Sequence, residues 1–239
     1  MTELRLIGGT ALAEPAAAGD EAPALRLPPG RHGLPADLVR SHQRRRLLTA
    51  AAAALAEQGY GHLTAARITE LAGVSSRTFY QHFEDLWACL LAAYETEADR
   101  LCAEIEAACA DAGRDSPRDR TAPKDRDAAF RSEERRARAG IAAALDFLAT
   151  APDLARLLSA EPPPQIAPLA AARRDLIERL GAMLRTALSD PDGATPLPGL
   201  ERRLVAAALA LVATRAAPGN PERLRELEPE LSELLLTSL

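Results

Sequence analysis

From about Leu38 onward the apolar residues fall into a helical rhythm, and nowhere do they alternate as in a strand. Leu47, Leu48, Ala51, Leu55 and Ala56 recur three and four apart and line one face of a first helix, which Gly59 stops. Thr64 is placed to cap a short helix that turns Ile68 and Leu71 toward a core. Gly73 ends that helix at a turn needing positive φ, and Val74 plugs the turn. Ser75 then caps a second short helix, its hydroxyl accepting from amides near Arg77 or Thr78. Two short helices around a glycine turn, the second one N-capped, make a helix-turn-helix. A long helix is predicted from about Glu84 to Ala110, with Trp87, Leu90, Leu91, Tyr94, Leu101 and Ile105 on its apolar face. At 1.5 Å per residue it spans roughly 40 Å.

The rhythm fails in two places. Residues 1–36 are rich in Ala, Pro and Gly and read as a flexible arm. Residues 111–127 alternate in charge, carry two prolines and read as a flexible connection. Further helices are predicted near 128–150, 152–160, 165–189, 199–215 and 221–238, with breaks at prolines. Pro229 restarts the last one as a first-turn residue. There is no internal repeat. The chain is therefore predicted to be all-α: an arm (1–36), a helix-turn-helix domain (37–85), and a helical domain (86–239) entered by the long helix.

Composition changes this picture little, and charge changes it more. The 239 residues are 47% hydrophobic but only 3% aromatic, so the core must be mostly aliphatic. Net charge is −5, which argues against a wholesale basic nucleic-acid binder. Its distribution points the other way. From Arg40 to Phe83 six Arg face two acids, Glu57 and Glu70, giving +4 there and −9 on the rest. Local nucleic-acid contact needs such an asymmetry, although a run such as Arg44–Arg46 is more often a solvated face. The three cysteines, Cys89, Cys102 and Cys109, form no CxxC and no even set, which suits a reducing, cytoplasmic setting. No apolar run is long enough to span a bilayer, so no membrane partner is expected. No signal peptide is expected, because Glu3 opposes Arg5 and Gly8-Gly9 breaks the short apolar stretch that follows.

The richest chemistry lies in AGVSSRTFYQHF, Ala72 to Phe83. With its surroundings it resembles the N-terminal DNA-binding domain of the TetR family of transcriptional regulators (TetR/AcrR type). The resemblance rests on an ordered series over about fifty residues. It comprises the Ala-rich first helix, Gly59-Tyr60, Thr64, Ile68, Ala72 to Ser75, Thr78-Phe79-Tyr80, His82-Phe83 and Leu90. Beyond residue 110 it is one of architecture. Two positions depart from the family pattern. Thr69 replaces the usual Ala, and Leu86 stands where the family carries a phosphate-binding Lys. The amides at the start of the long helix are the expected substitute for that Lys.

The residues suit the resemblance. The major groove admits one helix and presents a distinct donor and acceptor pattern for each base pair. With Phe79 and Phe83 turned inward, Ser76, Arg77 and Gln81 face outward. Arg77 is the expected base reader, gripping guanine with two hydrogen bonds; a phosphate contact is its alternative. Gln81 is suited to adenine. Thr78, Tyr80 and His82 are expected on phosphates, and half-buried core is the alternative for Tyr80. Thr64 and Ser75 present hydroxyls and amides at helix starts. Arg44 and Arg45 lie near phosphates or are merely solvated, and Arg31 of the arm is either a minor-groove contact or tail.

One helix-turn-helix reads too few base pairs, so a homodimer on a palindromic operator in double-stranded DNA is expected. Leu204, Ala208 and Leu211 of helix 199–215 and Leu231, Leu234 and Leu235 of the last helix are the expected interface; burial within one chain is the alternative. The resemblance also implies a pocket for a small-molecule effector among helices 128–150, 152–160 and 165–189. Its candidates are Leu145, Phe147, Leu148, Leu158, Ile166, Leu169, Ile177, Leu180, Met183 and Leu184, each of which also reads as plain core. They point to an apolar ligand. Ligand entry is expected to tilt the long helix, with Leu86, Trp87, Leu90 and Tyr94 as the lever, and to release a repressor. An enzyme is not expected: the chain has no nucleophile elbow, no Walker loop and no zinc spacing. No cofactor and no metal are expected. Two rival readings remain: a thiol- or metal-responsive regulator using Cys89, Cys102 and Cys109, and a DNA-binding protein without a ligand.

Overall fold

In the computed structural model, which describes residues 35–114, 126–187, 199–216 and 222–236, every regular element is an α-helix. The described elements are α1 (Ala36–Gln58), α2 (Ala65–Ala72), α3 (Ser76–His82), α4 (Leu86–Arg114), α5 (Arg126–Thr150), α6 (Pro152–Ser159), α7 (Ala167–Ala187), α8 (Leu200–Arg215), α9 (Glu222–Arg225) and α10 (Glu228–Leu236). The arm, with Arg31, lies outside the described residues.

Local chemistry sets the ends of the short helices. Thr64 Oγ1 accepts from the Arg67 amide at 3.2 Å and caps α2. Gly73 closes α2 at φ 59°, a left-handed conformation that is cheap only for glycine. Its N–H reaches Glu70 O at 3.0 Å, and the Val74 N–H reaches Thr69 O at 3.1 Å. Those two bonds satisfy carbonyls that the helix end would otherwise orphan. Ser75 Oγ then accepts from the Thr78 amide at 3.1 Å and starts α3. One expectation fails here: Leu71 is 38% exposed. α2 has only two turns, and Ile68, Thr69 and Ala72 supply its inward face. The buried Thr69 hydroxyl is satisfied by Ala66 O at 2.8 Å.

α4 is longer than its apolar pattern indicates. It runs to Arg114, about 43 Å at 1.5 Å per residue. Residues 111–114 and 126–127, expected in the flexible connection, are helical, and 115–125 lie outside the described residues. α5 packs closely along α4 at Gly140, where a Cβ would stand 2.8 Å from Cys109 Sγ and 3.2 Å from Ile105. The expected last helix is two helices, α9 and α10, separated at Glu226–Leu227. Pro229 does sit in the first turn of α10, where its missing N–H costs no hydrogen bond.

The core is continuous from Leu47 to Leu235. α6 joins its two halves. Ala155, Leu157 and Leu158 are fully buried there, and α6 packs on α1 as well as on α4, α5 and α8. Arg156 Nη1 donates to Ala56 O at 2.6 Å, one of the last carbonyls of α1. The Tyr94 hydroxyl donates to Leu158 O at 3.4 Å from the other side. The helix-turn-helix is thus held on the body by packing and by hydrogen bonds.

Candidate nucleic-acid interface and ligand cavity

α3 is two turns long and divides sharply by face. Phe79 is wholly buried and Phe83 nearly so, their ring centroids 5.8 Å apart. Ser76, Arg77, Tyr80 and Gln81 are exposed on the opposite side. Tyr80 is 62% exposed, which rules out its half-buried core reading; its ring lies T-shaped to that of Phe79, the centroids 5.2 Å apart. Ser75 Oγ and Thr78 Oγ1 lie 2.9 Å apart, so one hydroxyl donates to the other and one O–H stays available. Thr64 is exposed, its oxygen accepting in the cap while its own O–H remains a donor.

The arginines separate into two kinds. Arg46 donates to Gly73 O at 3.3 Å and ties α1 to the turn. Arg67 is held by Glu57 at 2.8 and 3.0 Å and by Glu70 at 2.8 Å, so its charge is matched locally. Arg44 and Arg45 are exposed, and the Arg44 guanidinium stacks 4.7 Å above the Phe83 ring. That stacking is a cation–π contact, and it holds a charge beside the end of α3. Arg40, one turn earlier on α1, is exposed near the same place. It is not among the expected contacts, although its i, i+4 spacing from Arg44 marks it. Burial first, then the charges of Arg40 and Arg44, hold the His82 imidazole below its ordinary range, so it is neutral at pH 7.

The start of α4 departs from expectation. Asp85 Oδ1 accepts from the Ala88 amide at 2.7 Å. An amide expected to replace the missing Lys is therefore occupied, and a carboxylate stands in front of Leu86.

In the body, α4, α5, α7, α8 and α10 enclose an apolar cavity of about 120 Å³. Five of the ten pocket candidates line it: Leu145, Leu148, Leu180, Met183 and Leu184. The other five do not. Phe147 is on the other face of α5, with the Arg100 guanidinium 5.4 Å from its ring, and Leu158 and Leu169 are buried away from the cavity. Ile166 precedes α7, and Ile177 is only partly buried on its side. α4 supplies Leu101, Ile105 and Cys109, which were not among the candidates because the long helix reads as a connector.

The dimer candidates also move. Ala208, Leu231 and Leu235 line this cavity, and Leu204 is buried, so these four belong to the chain's own core. α8 and α10 turn Leu204, Val205, Leu209, Val212, Leu231 and Leu235 inward. Leu211 and Leu234 are partly buried. Facing outward from α8 are Ala207, Ala210 and Thr214.

The three cysteines are spread along α4. Burial pushes the Cys89 thiol up to about 12, and Cys102 and Cys109 are also raised, chiefly by burial. Nucleophilic and metal-binding chemistry needs the thiolate, which these environments disfavour. Among the described residues no group of three or more His, Cys, Asp or Glu is arranged to hold a metal.

A capped, exposed helix after a glycine turn, flanked by exposed arginines on an all-α body, defines a DNA-binding helix-turn-helix protein. Residues 47–93 match the family model described as bacterial regulatory proteins, tetR family. That match spans α2, α3 and the adjoining parts of α1 and α4, so this segment is similar to the DNA-binding domain of that family. Solved structures agree in fold. The fatty acid degradation regulator FadR from Bacillus halodurans is 16% identical with a TM-score of 0.59, covering 82% of this chain and 98% of that one. FadR from Bacillus subtilis, solved in complex with stearoyl-CoA, gives the same identity, TM-score and coverage. A tetR-family regulatory protein from Rhodococcus RHA1 is 19% identical with a TM-score of 0.53, covering 82% of this chain and 96% of that one. No curated protein sequence matches. Among the described residues no helix is long and apolar enough to cross a membrane.

Proposed function

We propose that this protein is a repressor that binds a two-fold symmetric operator as a homodimer and releases it when a small, largely apolar ligand enters the body. The observation that carries the reading is the division of α3, with Phe79 and Phe83 buried and Ser76, Arg77 and Gln81 free to enter a major groove. Arg77 reads guanine and Gln81 reads adenine. Thr64, Ser75, Thr78, Tyr80, His82, Arg40, Arg44 and Arg45 hold the backbone and fix the register. Two copies of α3 meet half-sites about 34 Å apart, or a multiple of that. Ala207 and Ala210 leave room for a partner helix against α8, with Leu211 and Leu234 as its apolar contacts.

α4 is the coupling element. Leu90 and Tyr94 are fully buried where it meets the helix-turn-helix, and Leu101, Ile105 and Cys109 on the same helix line the cavity. A ligand that displaces the cavity end displaces the reading end. By reciprocity, operator DNA weakens the ligand by the same factor. The stearoyl-CoA bound by the Bacillus subtilis neighbour has a long apolar chain, which supports an apolar ligand here.

Selection from random duplex DNA is expected to recover a two-fold symmetric site, with two chains per duplex by sedimentation. Binding without sequence preference, or by one chain per site, would overturn the proposal. Affinity is also expected to rise as pH falls below the ordinary imidazole value of 6.5, because a phosphate beside His82 favours the imidazolium that the free protein disfavours. His82→Gln is expected to flatten that rise. A pH profile unchanged by the substitution would place His82 away from the phosphate.

A further inference from the structure

The apolar cavity does not stand alone. A second space of about 580 Å³ adjoins it and shares three of its lining residues, Cys109, Met183 and Ala187. The two differ in chemistry. Hydrocarbon such as Leu101, Ile105, Leu148, Leu180 and Val212 lines the inner cavity. Glu106, Ser132, Arg136 and Thr186 stand in the outer space. A line from one to the other therefore runs from dry to polar across the contact between α4, α5 and α7.

We infer that the ligand is an amphiphile, held with a short aliphatic chain in the inner cavity and an anionic head group at Arg136. This rests on the ligand-responsive reading above and names the class of ligand.

The tail follows from size and lining. The inner cavity is about 120 Å³, slightly below the roughly 150 Å³ apolar cavity that holds benzene. It takes about six carbons, and two more reach the throat at Cys109 and Met183. A polar atom placed there meets no partner.

The head follows from Arg136. Its stem passes Gly113, with Cδ 3.8 Å from where a Cβ would stand, an ordinary van der Waals distance. The residue is half-buried, and among the described residues it forms no ion pair. Its charge reaches the throat, where it opposes the upward push of burial on the Cys109 thiol. A guanidinium presents paired donors that fit a carboxylate or a phosphate. Ser132 and Thr186 add hydroxyls, and Glu106 is exposed at the rim.

The test is calorimetric titration of the full chain with octanoate, octanoyl-CoA and octanol. At least one of the two anions is expected to bind ten-fold or more tightly than octanol. Which anion is tighter tells a carboxylate head from a phosphate-bearing one. Arg136→Gln is expected to bring the tighter anion down to the octanol level. Ala208→Leu, which fills the inner cavity, is expected to weaken all three ten-fold or more; Ala144→Leu serves if that variant does not fold. Octanol binding as tightly as both anions, an Arg136→Gln variant with unchanged anion affinity, or no binding by any of the three overturns the inference. The regulatory reading is judged separately, by operator binding with and without the anion. If the anion binds in the expected pattern and operator affinity does not change, the ligand class stands and the ligand-released repressor fails.

Discussion

Phe79→Ala is expected to cost about 3–5 kcal/mol of folding free energy and, with it, specific DNA binding. The ring has no exposed surface, and it meets Tyr80 edge-on at 5.2 Å and Phe83 at 5.8 Å. α3 is only seven residues long, too short to hold its shape without that anchor. Few other aromatics are available to fill the space, since the chain has four Phe, three Tyr and one Trp. Chemical denaturation of the free protein gives the stability change, and operator titration gives the functional one. Phe79→Leu keeps most of the apolar volume and is expected to retain both properties largely intact. A loss below about 1 kcal/mol for the alanine variant, within the range of ordinary surface changes, would mean that something other than this ring anchors α3.

Arg77→Ala is expected to leave the fold intact and to remove about 1–3 kcal/mol of base discrimination per half-site. The side chain is exposed on the outward face of α3, so truncation leaves no cavity and no buried partner. Binding-site selection on the variant is expected to flatten preference at one symmetric pair of positions and to leave the others as they were. The phosphate alternative has a different signature. It weakens all sequences alike and lowers the salt slope by about 0.9 for each phosphate no longer neutralised, with base preferences unchanged. The two outcomes are separable in one experiment at several salt concentrations.

The reading head was legible because its determinants are local. Thr64 and Ser75 cap helices that begin one residue later, Gly73 must take positive φ where it stands, and Phe79 and Phe83 share a face by spacing alone. The helices of the body were legible for the same reason, to within a few residues at their ends, except the last, which is two. Which side of each helix faces what was legible only in part. Leu71 has the spacing of a core residue beside Ile68, but α2 is rotated so that Thr69 and Ala72 are buried instead.

Periodicity gives a helix an apolar side; it does not say which neighbour covers that side. Leu231 and Leu235 read equally well as a dimer face or as core, and only the packing of α10 against α5 and α8 turned them into the chain's own cavity. The same holds for charge. Arg67 and Arg77 are alike in the sequence, but Glu57, ten residues away, and Glu70 hold the first, whereas α3 carries no carboxylate to hold the second. The sequence by itself determined the fold class, the helix-turn-helix and the exposed face of α3, because caps, turns and periodicity act within a few residues. Only the tertiary structure decided the cavity and the tie from Arg156 to α1. Those depend on which groups the packing of distant helices brings within a few ångströms, and no local pattern encodes that.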